Sequence, residues 1–229
     1  MAVEQSTSRS AAGFVTAEHF ALQSARAATI TESTARATMF LAAASGGLIA
    51  LGLVATATRV GTAFYAFGLV LLPTLAFVGM VTFERTLQIG LEDYQLMRRI
   101  ALLREYYIRE APELQPYLAS TPLSEVLTAG SLLGRGDQFR LQSFRTVAGM
   151  VGVITAVLAG ATAGLIAIAA SGHSLTAPLV SGVVVALAAM IVLTRFQERA
   201  YRRAVTGQRP PGMPAREGPP GFEPGTNEL

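Results

Sequence analysis

The side chains that could do chemistry in this sequence are few and lie far apart. His19 and His173 are the two histidines, and the membrane topology argued below puts them on opposite sides, so we expect no shared metal site. The chain has no cysteine, and all 18 of its basic residues are arginine. Thiol catalysis, disulfides, thiolate metal sites and lysine-based Schiff bases are therefore excluded.

The adjacent carboxylates Glu92 and Asp93 are a further candidate for chemistry. Consecutive side chains on a helix point about 100° apart, and we interpret this pair as part of a solvated helix face. The phosphate-loop, nucleophile-elbow and zinc-protease patterns are absent from the sequence. We therefore predict no catalytic, cofactor-binding or metal-binding residue, and the protein is not expected to be an enzyme.

Four long stretches without a charged residue dominate the sequence instead: 38–58, 61–83, 146–170 and 174–194. Mean hydropathy is +0.44 and 14% of residues are charged, against about 25% in soluble domains. As helices these stretches would measure about 31 to 37 Å, which matches a hydrocarbon core of about 30 Å. Backbone groups in lipid must pair internally, so each stretch predicts a transmembrane helix.

Arginine counts predict the orientation of these spans. Three arginines precede the first span and eight lie between the second and the third. Six follow the fourth, whereas Arg59 alone lies between the first and second and none lies between the third and fourth. Since basic residues accumulate on the cytoplasmic side, both termini are predicted to be cytoplasmic. The first span is predicted to act as an uncleaved signal anchor.

The predicted fold class is an all-α membrane protein with four transmembrane helices, arranged as two antiparallel hairpins with a helical cytoplasmic segment between them. The predicted units are a partly helical cytoplasmic arm (1–37), hairpin 1 (38–83), the cytoplasmic segment (84–145), hairpin 2 (146–194), a basic juxtamembrane helix (195–206) and a disordered Pro/Gly-rich tail (207–229). We expect the second span to continue as a helix to about Glu110. Its apolar stripe requires a partner: the arm, the helix after span four, or the same helix of another subunit.

Small residues recur every four positions in the spans, which allows close approach of a neighbouring backbone. They are Ala148, Gly152, Ala156, Gly160 and Gly164 in span three, and Ala43 with Gly47 in span one. They serve either packing within one subunit or an oligomer interface, and the sequence leaves both open. Pro73 predicts a kink in span two.

A basic cluster follows span four. Arg195, Arg199, Arg202 and Arg203 are candidates for contact with anionic lipid, at about 1 kcal/mol per arginine, or simply fix the topology.

Three stretches carry a family resemblance: LQSARAATITESTARATMFLAAASGGLIAL, FYAFGLVLLPTLAFVGMVTFERTLQIGLEDY and MRRIALLREYYIREAPEL. They resemble an uncharacterised family of small actinobacterial membrane proteins, over roughly residues 20 to 200. The resemblance implies an actinobacterial origin and a four-helix layout, and it implies no activity. The general plan is also similar to small membrane effectors of bacterial defence systems.

Two functions compete at this level. The first is a non-enzymatic, self-associating membrane protein that acts as a pore-forming or membrane-perturbing effector; the alternative is a scaffold or sensor whose cytoplasmic helices bind a protein partner. A proton-coupled carrier is disfavoured because the spans lack ionisable groups. Candidate pore-lining residues are Ser45, Thr74, Thr155, Thr162 and Ser181. Expected partners are the lipid bilayer, further copies of the chain and a cytoplasmic protein, and neither a cofactor nor nucleic acid is expected.

Overall fold

The computed structural model describes residues 2–110, 112–113, 146–171 and 176–206. This part of the chain forms four helices and no strand: α1 (Ala2–Thr58), α2 (Thr62–Glu110), α3 (Val147–Ser171) and α4 (Thr176–Thr206). Each helix contains a stretch long and apolar enough to cross a membrane. The prediction of an all-helical, multi-pass membrane protein is confirmed to this extent.

Several predicted features lie outside the described residues. They are the second half of the middle segment (114–145), the connection at 172–175 with His173, and the tail at 207–229.

The first two helices are much longer than a membrane span. α1 has 57 residues, or about 85 Å, because no proline occurs before Pro73 to interrupt it. The predicted arm and first span are thus one helix. α2 has 49 residues, and it is helical on both sides of Pro73 and onward to Glu110. The expected continuation of span two without a break is confirmed.

The helices pack in the order α1, α2, α3, α4. α1 contacts α2, α2 contacts α3 and α3 contacts α4, while the described parts of α1 and α4 do not touch each other. The contacts between α1 and α2 run in opposite directions along the two helices: Gly47 in α1 lies against Leu75 in α2, and Phe40 lies against Gly79. The result is an open row with α2 and α3 in the middle and α1 and α4 at the edges.

A hydrophobic core forms where α1, α2 and α3 meet, and Leu193 of α4 joins it. Phe40 and Phe83 are each 2% exposed and Val151 is fully buried. The Phe40 ring fits because Gly79 has no side chain, since a Cβ there would lie 2.9 Å from the ring. The complete cluster is Ala37, Phe40, Ala44, Leu72, Leu75, Phe83, Leu87, Ala148, Val151, Leu158, Leu165 and Leu193.

The turn from α1 to α2 is tight and strained. Arg59 and Val60 both have positive φ, at 50° and 58°, a region that β-branched residues rarely adopt. The Val60 amide donates to the Ala55 carbonyl at 3.0 Å, and this hydrogen bond caps the C-terminal end of α1. The turn therefore reverses the chain within three residues, at a cost in backbone energy.

Candidate functional site

Ion pairs join α1 to α2 just beyond one end of the charge-free stretches. We call this end, which Arg36, Arg85 and Arg195 flank, the basic end. Arg26 Nε lies 2.9 Å from Asp93 Oδ1, and Arg85 lies 3.1 Å from Glu32. Glu32 also accepts from Arg36 at 2.9 Å. Arg36 and then Arg85 hold the pKa of the Glu32 carboxyl below its usual value. Exposed pairs contribute little individually, and the two pairs between helices, Arg26 with Asp93 and Arg85 with Glu32, show which turns of α1 and α2 face each other.

All four helices enclose a cavity at the basic end, which we call the four-helix pocket. Its volume is about 260 Å³. Residues from every helix line it: Thr29, Ile30, Ser33 and Thr34 from α1; Thr86, Ile89, Gly90, Asp93, Tyr94 and Met97 from α2; Thr146, Val147 and Ala148 at the start of α3; and Tyr201 from α4. It is the more polar of the two principal cavities in the described part of the chain.

Threonines of the pocket are held by their own helices. Thr29, Thr34 and Thr86 each donate to a backbone carbonyl one turn earlier, at 2.8 Å for Thr29 and 3.0 Å for Thr34. Their hydrogens are thereby used, and each oxygen keeps lone pairs that can accept a hydrogen bond.

The start of α3 is capped inside the pocket. Thr146 Oγ1 accepts from the Gly149 amide at 3.0 Å, as an N-cap residue does. It also accepts from the side-chain amide of Gln197 at 3.2 Å, and Gln197 is 1% exposed. One hydroxyl thereby connects the beginning of α3 to α4.

A single glycine lets α4 close the pocket. A Cβ on Gly90 would lie 2.8 Å from the Tyr201 hydroxyl oxygen, so the tyrosine rests directly on the α2 backbone. Tyr201 follows the fourth charge-free stretch by seven residues. Burial, and then the nearby Asp93 carboxylate, raise the pKa of its hydroxyl.

The two adjacent carboxylates of α2 have different surroundings. Glu92 is 52% exposed and lies 3.8 Å from Arg85. Asp93 is 24% exposed, pairs with Arg26 and lines the pocket. The solvated face that the sequence predicts describes Glu92, whereas Asp93 belongs to a cavity that the sequence did not reveal.

The second cavity is an apolar groove of about 630 Å³ between α3 and α4, with Leu72 of α2 at its margin. Gly160, Gly164, Pro178 and Gly182 line it. A Cβ on Gly160 would lie 2.5 Å from the Gly182 carbonyl oxygen, and one on Gly164 would lie 3.3 Å from the Pro178 carbonyl oxygen. The backbones of α3 and α4 therefore approach each other closely at the glycines that line this groove.

The remaining small residues of the predicted packing set differ in their surroundings. Ala148 and Ala156 are 5% and 0% exposed. A Cβ on Gly152 would lie 3.1 Å from the Phe83 ring, and one on Gly47 would lie 2.9 Å from Leu75. Ala43 is exposed.

The basic cluster after span four lies on the exposed side of α4. Arg195, Arg199, Arg202 and Arg203 are all exposed. Arg202 pairs with Glu198 at 2.6 Å, one turn earlier.

The hydroxyls proposed to line a pore are mostly occupied by their own helices. Thr74, Thr155 and Thr162 donate to the carbonyl four residues earlier, at 2.7, 2.8 and 2.8 Å. Thr155 is 3% exposed, and Ser181 donates to the Pro178 carbonyl at 2.9 Å. Ser45 is exposed.

His19 lies in the first third of α1, against the C-terminal end of α2. Its ring meets the Tyr107 ring edge-on, with 6.2 Å between centroids. Its buried Nδ1 has no hydrogen-bond partner among the described residues. Those residues contain no group of three or more metal-binding side chains.

An uncharged surface runs along α1 on its exposed side, and we call it the α1 seam. Two series of exposed residues, each repeating every seven positions, form it: Phe14, Ala21, Ala28, Ala35, Ala42 and Ile49, and Ala17, Ser24, Thr31, Thr38, Ser45 and Gly52. The seam extends for about 57 Å. Ten of its twelve members are small residues.

Comparison with protein-family models, curated proteins and solved structures finds no match for this chain. The resemblance to an actinobacterial family therefore stays a prediction.

Proposed function

We propose that the protein is a non-enzymatic membrane scaffold or sensor that assembles with copies of itself. Its cytoplasmic helices would offer a surface to a protein partner. The observation that carries this proposal is the α1 seam, an unpartnered and uncharged helix face that continues from the first charge-free stretch into the arm.

The seam fits a second copy of α1. Copies inserted with the same topology place their α1 helices parallel. A seven-residue repeat keeps one helix face against a partner through a left-handed supercoil. Small residues at these positions allow the close backbone contact on which helix association in lipid depends. None of the twelve seam residues from Phe14 to Gly52 is charged, so the contact between two copies would bury no charge.

Disulfide crosslinking tests this assembly, because the chain has no cysteine of its own. We expect Ala42→Cys, on the seam, to form a crosslinked dimer in membranes under mild oxidation. Ala43→Cys is the matched control: Ala43 is also exposed and lies at the same depth, but it points about 100° away. Equal crosslinking of both variants, or none for Ala42→Cys, would contradict assembly through the seam.

The proposed topology has both termini on the cytoplasmic side of a bacterial plasma membrane, with spans one and two and spans three and four as hairpins. Its support is that Arg36, Arg85 and Arg195 flank the charge-free stretches at the basic end, while Arg59 lies at the other end. The positive-inside rule makes the basic end cytoplasmic. The exposed arginines after α4 would then contact anionic lipid of the inner leaflet.

Labelling of single cysteines tests this orientation. Cells that carry the single-cysteine variants Arg59→Cys or Arg199→Cys are treated, while intact, with a membrane-impermeant maleimide. We expect the first to be modified and the second to be protected until the cells are opened. The reverse pattern would invert the topology.

The scaffold or sensor role rests on the paired extensions of α1 and α2 beyond the spans. Glu84 to Glu110 alone measure about 40 Å as a helix, and Arg26 ties this extension to α1 through Asp93. Phe14 and Phe20 are 77% and 69% exposed on the arm, in a part that would face water. We include these two exposed aromatic residues in the surface offered to the partner.

The effector hypothesis, a pore or a membrane-perturbing assembly, is the second candidate. Its support is Ser45, an exposed hydroxyl within a span, which copies of the chain could turn toward a common lumen. Planar-bilayer recordings test it: discrete currents that Ser45→Leu abolishes would favour the pore, and silent membranes at all protein densities would remove it.

A further inference from the structure

The four-helix pocket has the size of a small-molecule site. Its volume of about 260 Å³ corresponds to roughly nine water molecules at about 30 Å³ each. It lies just below the range of about 300–1,000 Å³ that is usual for drug-sized ligands. A bare metal ion would leave most of this volume empty, and the described residues contain no cluster of three or more His, Asp or Glu side chains that could hold one.

The walls of the pocket favour a cation. Asp93 is the charged residue among the described residues that line the cavity, and its partner Arg26, 2.9 Å away, offsets part of that charge from outside the lining. Thr29, Thr34 and Thr86 add oxygen lone pairs, because their hydrogens are used by helix carbonyls. A site that offers a carboxylate and acceptors suits a ligand whose polar group is charged and carries several donors.

Asp93 can serve such a ligand without losing its present partner. Arg26 Nε donates to Oδ1 at 2.9 Å, and a carboxylate has two oxygens with about four acceptor positions in all. Tyr94 also lines the pocket, and an aromatic face can attract an ammonium group.

We propose that the four-helix pocket binds the ammonium group of a small organic amine, with Asp93 as counter-ion and the threonine hydroxyls as acceptors. A free amine from the aqueous phase and the ethanolamine headgroup of a membrane lipid share this chemistry, and the pocket lies at the membrane boundary where both can reach it. The site lies within one subunit, so it goes beyond the proposed assembly and does not depend on it.

The binding test uses the full-length protein in nanodiscs of phosphatidylglycerol, which contains no ammonium group. Ethanolamine is the probe and ethylene glycol its neutral isostere, and isothermal calorimetry is the readout. We expect saturable binding of ethanolamine and none of ethylene glycol. Asp93→Asn should weaken ethanolamine binding at least tenfold. Glu92→Gln, which changes the neighbouring carboxylate outside the pocket, should leave it unchanged.

A second variant guards against a folding defect, because Asp93→Asn also disturbs the pair with Arg26. Ser33→Leu fills the cavity and keeps every charge, and it should abolish binding while circular dichroism shows an unchanged helix content. Binding that survives Ser33→Leu, or that Glu92→Gln and Asp93→Asn weaken equally, would overturn the proposed site.

Native mass spectrometry distinguishes the two sources of the ammonium group. Protein from membranes that contain phosphatidylethanolamine is compared with the Asp93→Asn variant for retained lipid. Retention by the native protein alone assigns the site to the lipid headgroup, and ethanolamine binding without retention assigns it to a free amine. Absence of both overturns the proposal.

Discussion

Replacing Gly160 by alanine probes the contact that joins α3 to α4. The new Cβ would lie 2.5 Å from the Gly182 carbonyl oxygen and 2.7 Å from the Ala186 Cβ, whereas ordinary contact begins at 3.4 Å. Backbone atoms cannot rotate away as a flexible side chain can, so α4 must retreat by about 0.9 Å at this level. A gap of about 0.5–1 Å forfeits a quarter to a half of the van der Waals attraction between the atoms concerned.

The expected cost is about 1–3 kcal/mol of unfolding free energy, the usual range for overpacking. Alanine is also a better helix former than glycine by about 1 kcal/mol, and this gain offsets part of the loss. Gly46→Ala isolates the gain, because a Cβ at Gly46 meets nothing within 4 Å. The difference between the two variants should therefore report the steric term alone.

Reversible unfolding in mixed micelles, followed by circular dichroism and at a dilution that keeps the chains separate, measures this difference. We expect Gly46→Ala to be equal to or more stable than the native chain and Gly160→Ala to be less stable than Gly46→Ala by about 1–3 kcal/mol. Gly160→Leu should fall further, and Gly164→Ala should lie between, since its nearest neighbour is 3.3 Å away. Equal stability of Gly160→Ala and Gly46→Ala would refute the backbone contact.

Three further predictions use the same unfolding measurement. Val60→Gly should stabilise the chain by about 0.5–1 kcal/mol, because the positive φ costs valine about 1–2 kcal/mol and glycine returns about 0.5–1 kcal/mol as entropy; a lower unfolding free energy would contradict the strain. Phe83→Ala should cost about 3–5 kcal/mol, whereas Phe77→Ala, at a side chain 69% exposed, should cost under about 0.5 kcal/mol; equal losses would place Phe83 outside the core. The pKa of Glu32 is lowered in the folded chain, so its ion pairs stabilise the fold at pH values above the unfolded pKa of about 4.3. This stabilisation is lost as the pH falls through the folded pKa. Glu32→Gln should remove this part of the acid dependence of stability, and an unchanged pH profile would refute the pairing.

The sequence predicts the four helices well for a physical reason. Lipid tolerates no charged residue at depth and no unpaired backbone group, so composition alone marks where a helix must cross. The uncharged stretch 38–58 lies within α1 and 61–83 falls largely in α2. The unbroken passage of α2 into its extension was also predictable, since no proline follows Pro73 before Pro112.

The four-helix pocket could not be predicted in the same way. Glu92 and Asp93 are equivalent in the sequence, and only the position of Arg26 on another helix separates a solvated carboxylate from a pocket-lining one. Likewise, Gly90 and Tyr201 meet across α2 and α4, more than a hundred residues apart in the chain. Such pairings depend on which helices are neighbours, and apolar composition carries no information on that.

Glycine contacts, not the burial of large side chains, decide the order of the helices. In the most apolar stretch of α4, 11% of residues are buried, against 39% in α3, yet α4 packs closely on α3 where Gly160, Gly164 and Gly182 meet. In lipid the exposed valines and leucines of α4 cost nothing. An edge helix is therefore stable with one narrow glycine face, whereas a middle helix needs two. α3 has both, Gly152 toward Phe83 and Gly160 toward Gly182. α1 uses one face for α2 and leaves the α1 seam open, and a second narrow face without a partner inside the subunit is what assembly with another copy would employ.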